Sequence, residues 1–209
     1  MNIYDERIHR LQKQMKKDGI ACYIIPATDP HMSEESASLF TAERFYFCAF
    51  KGNDGTLLVT QDENFLYTDG RYWTEAEEEL KGTSCKLVYA GKSSVPSLFE
   101  FIKENECYPL GIDASLFSYG DLKQMYLDDA HKIRQVSYRY MVSPLPSLPK
   151  GKIWKVSSSL LSTTREQRVS SAMDVITKRG AKALVITTLD DIAYILCYRG
   201  SDIPCTPVF

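Results

Sequence analysis

The sequence has little of what marks a self-contained catalytic centre. Its three histidines, His9, His31 and His131, stand far apart, and no C-x-x-C or H-E-x-x-H spacing occurs. Metal ligation needs clustered donors of that kind, so no metal site lying wholly inside the chain is expected. Gly91-Lys92-Ser93 imitates the end of a phosphate loop, but the glycine needed five residues before Gly91 is replaced by Lys86, and the backbone cradle is missing. No G-x-S-x-G elbow is present and no cysteine has a histidine close by in sequence, which leaves nucleophilic catalysis without positive support.

Long apolar runs are lacking too. None approaches the roughly 20 residues of a membrane-spanning helix, and the N-terminal MNIYDERIHR has no apolar segment of the signal-peptide kind. Charge of one sign is not in excess: Lys+Arg 25 against Asp+Glu 27 gives a formal net charge of -2, so no bulk attraction to nucleic acid or anionic membrane is implied. A cytoplasmic protein is the expectation. What is present is ordinary globular material, 44% hydrophobic and 25% charged over 209 residues, enough for one large domain or for one domain and part of another. Cys22, Cys48, Cys85, Cys107, Cys197 and Cys205 read as free thiols, mostly buried.

Along the chain, Asn2 caps a first helix with Asp5 reaching back, Ile8, Leu11 and Met15 form its apolar face, and Gly19 ends it. A buried strand over 21–25 follows. Residues 57–60 and 65–68 read as a hairpin. After Gly70 the period lengthens to that of a helix, with Ala76 and Leu80 on one face and Glu75, Glu77, Glu78 and Glu79 on the other, stopped at Gly82. A strand at 85–90, a helix from Pro96 to Lys103, a strand at 109–113, a helix from Ser118 to Asp128 and a strand near 132–136 complete an α/β alternation. The early hairpin makes the sheet mixed, flanked by helices.

Pro144, Pro146, Pro149 and Gly151, then Ser157-Ser158-Ser159, interrupt this pattern, so residues 1–140 read as a first domain and 141–162 as a linker. The chain then starts over. A capping box at Thr164-Arg165-Glu166-Gln167 opens a helix with Val169, Ala172 or Met173, and Ile176 as its apolar positions, and Gly180 precedes a strand at 183–186. At an offset of 161, residues 7–29 and 168–190 share five identities in 23, in the same order of cap, helix, glycine, strand and aspartate. Residues 163–209 are therefore expected to begin a second, similar domain. That unit is too short for a core of its own, which predicts a fragment of a longer protein.

Three places concentrate polar chemistry. Asp29-Pro30-His31 follows a strand end, where open α/β sheets place ligand groups, although an Asx-Pro turn is favoured. Thr68-Asp69-Gly70-Arg71-Tyr72-Trp73 joins a strand to a helix; Asp69 as its cap and Arg71 as a bridge across strand ends are the stronger reading. For Arg199-Gly200-Ser201-Asp202-Ile203-Pro204, function and structure are equally open.

These residues resemble the three-domain Xaa-Pro aminopeptidases of the creatinase/prolidase superfamily. The likeness rests on Asp29-Pro30-His31-x-Ser33-Glu34, Phe50-x-Gly52-x-x-Gly55-Thr56, Thr68-Asp69-Gly70-Arg71-Tyr72, Leu189-Asp190-x-Ile192-Ala193, and Arg199-Gly200-Ser201-Asp202-Ile203-Pro204-x-x-Pro207-Val208-Phe209, in family order. Glu35, Asn53-Asp54 and Cys205-Thr206 depart from the family's usual residues. The resemblance implies a creatinase N-terminal fold with a ribonuclease H-like motif and the start of a second such domain. It implies a non-catalytic region that gates substrate and assists assembly into a homodimer. The metal-binding catalytic domain, with a dinuclear manganese site, would lie elsewhere in the parent and act on proline-containing peptides; no cofactor is expected in this chain. Its partner would be that catalytic domain, with Asp29, His31, Asp69, Arg71, Arg199 and Asp202 as candidate gating or interdomain contacts. A non-enzymatic protein- or peptide-binding module of the same fold is the alternative.

Overall fold

The computed structural model describes residues 2–32, 38–125 and 132–209. The motif residues Ser33, Glu34 and Glu35, the expected helix end at Asp128, and His131 lie outside the described residues.

Helix α1 (Ile3–Asp18) begins as expected, with the Asn2 side chain accepting from the Asp5 amide, and ends at Gly19, whose φ of 68° lies in the left-handed region that glycine adopts without strain. Asp5 does not reach back: its carboxylate accepts from the Ser84 amide at 2.8 Å and so ties α1 to a distant loop. Strand β1 (Cys22–Ile25) follows, then α2 (Ser38–Phe47), a helix the sequence reading lacked. Strands β2 (Thr56–Thr60) and β3 (Asn64–Thr68) form the expected hairpin. Next come α3 (Trp73–Glu79), β4 (Lys86–Tyr89), α4 (Leu98–Glu104), β5 (Leu110–Ile112), α5 (Tyr119–Met125) and β6 (Ile133–Gln135).

The strands assemble in the order β4-β3-β2-β1-β5-β6. Only β2 runs against its neighbours; β1, β3, β4, β5 and β6 all point the same way. The carboxyl ends of five strands therefore open on one edge, the usual place for ligand groups in such sheets. Because β1 to β3 are buried on both faces, their sequences are near-continuous apolar runs whose successive residues enter different cores. Tyr23, Ile25, Leu57, Val59 and Leu66 pack with α1 and with Phe47 of α2. Cys22, Ile24, Leu58, Phe65 and Tyr67 pack with Ile102 of α4 and Leu110 and Ile112 of β5.

In the remainder of the chain, β7 (Ile153–Lys155) lies inside the segment read as a linker and pairs antiparallel with β8 (Tyr198–Gly200). Helix α6 (Arg165–Lys178) has the expected capping box at Thr164 and Gln167. Gly180, like Gly19, is left-handed, at φ 72°. The strand expected at 183–186 does not form: among the described residues no strand lies beside it, and an extended segment without ladder partners is not a strand. Its apolar side chains stay in solvent, Val185 at 84% exposure, and Val169 and Met173 of α6 are exposed as well. Helix α7 (Leu189–Leu196), also not foreseen, packs Leu189 and Ala193 with Ile203 and Val208 against Phe40 of α2.

Candidate functional site

The six candidate residues fall into three groups. Asp29 lies just beyond β1 and is fully buried; its Oδ1 accepts from the His31 amide at 2.9 Å and its Oδ2 lies 3.2 Å from His31 Nδ1. This is an Asx turn with a histidine folded over it, and the imidazole is partly exposed, at 41% of its side chain. Thr28 donates to the Leu116 carbonyl at 2.6 Å, which ties the turn to the loop after β5.

Asp69 and Arg71 stand beyond β3 on the same edge. The carboxylate does not cap α3, whose first turn has no side-chain cap. It accepts instead from the Arg71 amide at 2.9 Å and from Arg71 Nη2 at 2.8 Å, because Arg71 is near enough to compete for the same oxygens. Arg71 also reaches Asp54 at 3.5 Å. The guanidinium holds the Asp69 carboxyl down to about 2, while burial and the neighbouring Asp69 push Asp54 up. Thr68 Oγ1 donates to the Asp54 carbonyl at 2.8 Å and Trp73 Nε1 to the Thr68 carbonyl at 2.9 Å, so both sides of the turn are fastened to β3. With β2 between them, the strands carrying Asp29 and Asp69 lie roughly 10 Å apart. The edge thus presents two separate polar groups.

Arg199 and Asp202 work within the C-terminal unit. Arg199 Nη1 donates to the carbonyls of Ala193 at 2.9 Å and Tyr198 at 2.8 Å, completing the end of α7. Asp202 Oδ1 accepts from the Gly151 amide at 2.5 Å, clamping the proline-rich segment to β8. An Asp202→Ala change is expected to release that amide, raising its hydrogen exchange at least about tenfold, the equivalent of one ordinary hydrogen bond. Exchange mass spectrometry on a peptide spanning Gly151 reads the effect, and unchanged exchange there would show the clamp to be idle.

A fourth group was absent from the sequence reading. Glu43 on α2 is buried; Tyr23 donates to its Oε1 at 2.8 Å, and among the described residues its Oε2 has no hydrogen-bond partner. Close by, Arg139 pairs with Asp113 at 3.4 Å. Burial pushes the Glu43 carboxyl up to about 7, against the opposing pull of Tyr23 and Arg139. Next along α2, the fully buried Arg44 donates to the carbonyls of Phe50 at 3.3 Å and Gly52 at 2.6 Å. The available signal was Glu43-Arg44 standing among Phe40, Phe45 and Phe47, since charges in an aromatic helix need internal partners. Among the described residues, no three His, Cys, Asp or Glu side chains converge as a metal site.

A mixed sheet with polar turns along one carboxyl edge is the architecture of a known class, and the chain belongs to it: the Creatinase/Prolidase N-terminal domain family matches over residues 7–135, and a second model of the same description matches 144–209. Within that class its relatives are Xaa-Pro aminopeptidases. It is 34% identical over 224 residues to Aminopeptidase P2 of Arabidopsis thaliana, covering 99% of this chain and 30% of that protein. It is 29% identical over 213 residues to a probable Xaa-Pro aminopeptidase P of Laccaria bicolor, covering 98% of this chain and 33% of that protein. The crystal structure of X-prolyl aminopeptidase from Caenorhabditis elegans, described as a cytosolic enzyme with a di-nuclear active site, matches with a TM-score of 0.81 at 27% identity, over 90% of this chain and 32% of that one. The chain spans about a third of the length of these proteins. No helix among the described residues is long and apolar enough to cross a membrane.

Proposed function

We propose that this chain is the non-catalytic N-terminal region of a cytoplasmic Xaa-Pro aminopeptidase, whose whole form removes the residue preceding a penultimate proline. The observation that carries the reading is the match to the Caenorhabditis elegans enzyme along almost the whole of this chain but only a third of that one. In this reading the metal pair, manganese by family resemblance, belongs to a further part of the parent. The uncovered apolar side chains of Val169, Met173, Leu184 and Val185 suit a surface closed by that further part or by a second copy in a homodimer. At the sheet edge, His31 and Arg71 are exposed enough to meet a peptide entering the active site, while Asp29 and Asp69 hold them in place. Arg199 and Asp202 fix the shape of the unit that faces the catalytic domain.

The test is release of the N-terminal residue from an Xaa-Pro-Pro peptide with added manganese, comparing this chain with the complete product of its gene. Turnover in the longer product alone is expected. Turnover by the 209-residue chain itself, or by neither, would overturn the reading.

A further inference from the structure

Gly91-Lys92-Ser93, which imitates a phosphate loop in sequence, serves a different geometry in the fold. Gly91 turns the chain just after β4 at a φ of 89°, in the left-handed region open to glycine. The exposed Lys92 folds back over the strand end, its Nζ 4.5 Å from the centre of the Trp73 ring and 3.9 Å from that of Tyr89. The two rings meet at 78° with centres 5.4 Å apart, so they form the walls of a corner and the ammonium rests against both.

The walls are held independently of Lys92. The Thr68 carbonyl at the end of β3 accepts from Trp73 Nε1 at 2.9 Å and from the Ala90 amide at 3.1 Å, so one backbone oxygen fixes both ring-bearing segments. Tyr89 donates its hydroxyl to Glu77 Oε1 at 2.8 Å, which puts negative charge on the rim and makes the phenol ring a richer face for a cation. The corner stands at the carboxyl ends of the parallel strands β3 and β4, where Thr68 and Tyr89 are paired. It offers ring faces but no acceptor to its occupant: among the described residues, Lys92 Nζ makes neither a hydrogen bond nor an ion pair. A primary ammonium carries three N–H groups and a tight hydration shell, and gives up part of that shell here without replacement. A cation bearing methyl groups in place of N–H has nothing to satisfy and covers more of both rings.

We propose that the Trp73–Tyr89 corner is a binding site for quaternary ammonium groups, of the kind carried by choline and by trimethylated lysine, and that Lys92 fills it from within when no ligand is bound. The test uses the full 209-residue chain with Trp154→Phe, which leaves Trp73 as the reporting tryptophan, and titrates its fluorescence with tetramethylammonium chloride at constant ionic strength. Half-saturation is expected at a concentration at least about tenfold lower after Lys92→Ala, because the ligand no longer competes with a tethered cation. Ammonium chloride over the same range should give no saturable change. Adding Tyr89→Leu to the Lys92→Ala chain should raise half-saturation at least about tenfold by removing one wall. Whichever of choline and a trimethyllysine tripeptide binds the Lys92→Ala chain more tightly names the carrier. Tetramethylammonium binding that Lys92→Ala does not tighten, or ammonium saturating as readily as tetramethylammonium, would overturn the assignment. The comparison of the two salts needs only the folded Lys92→Ala chain, so a Tyr89→Leu variant that fails to fold leaves the test decisive.

Discussion

Arg44→Ala should cost about 3–5 kcal/mol of stability, read as a fall of roughly 10 °C in melting temperature for a chain of this size. The guanidinium is fully buried, and among the described residues no carboxylate forms an ion pair with it. Its anchors are the carbonyls of Phe50 and Gly52, and it stacks over the Phe45 ring at 4.6 Å. Truncation removes both donors and opens a cavity beneath the loop that leads into β2. Each carbonyl left without a donor costs about 1–3 kcal/mol, and the cavity adds to that. Arg44→Met separates the two effects, since it fills most of the volume but supplies no donor. The expected order is wild type, then Met, then Ala. Removing a buried cation also relieves its desolvation, which already lowers the affinity of Arg44 for its proton. A Met variant as stable as wild type in denaturant unfolding would show that this relief outweighs two backbone hydrogen bonds, and the role given to Arg44 would fall.

The elements that could be read from sequence are those whose burial pattern and end signals agree. Helix α1 has Asn2, a three-residue apolar spacing and Gly19; β1 to β3 are apolar runs between turn residues. Helix α2 escaped because its inward face mixes aromatics with Glu43 and Arg44, so polarity and burial point in different directions. Strand 183–186 was over-read for the opposite reason. Its apolar run satisfies the local pattern, but a strand exists only through neighbours, and sequence pattern carries no information on whether a partner lies alongside.

The polar turns show the same division. Asp29 and Asp69 were placed correctly at strand ends, since that follows from strand order and direction. Which hydrogen bonds they make was not legible. Asp69 was read as a helix cap, yet Arg71 two residues later takes the same carboxylate through its amide and its guanidinium. Choosing between a cap and a local ring depends on a few tenths of an ångström, which residue spacing does not specify. The Tyr23–Glu43 bond, between groups 20 residues apart, depends wholly on tertiary packing.

Glu43 should make stability fall as pH rises through neutrality. In the folded protein its carboxyl titrates near 7, against an ordinary value of 4.5, with burial as the main cause. An acid whose folded value is raised contributes stability that is complete below about 4.5 and lost as pH climbs through about 7. The full displacement corresponds to about 3 kcal/mol, at about 1.4 kcal/mol for each unit. Glu43→Gln keeps an oxygen for the Tyr23 hydroxyl and cannot ionise. Relative to this variant, wild type is expected to lose about 2–3 kcal/mol between pH 5 and pH 8, seen by urea unfolding at intervals across that range. The carboxyl groups held low, such as Asp69, act in the other direction but only towards acid, below the window in which Glu43 titrates. Arg139 and Asp113 contribute opposing fields, so Arg139→Met should push the Glu43 transition higher by removing the favourable one. A difference between wild type and Glu43→Gln that stays constant from pH 5 to pH 8 would mean that the buried carboxyl is already compensated, and that its bare Oε2 has no titration to report.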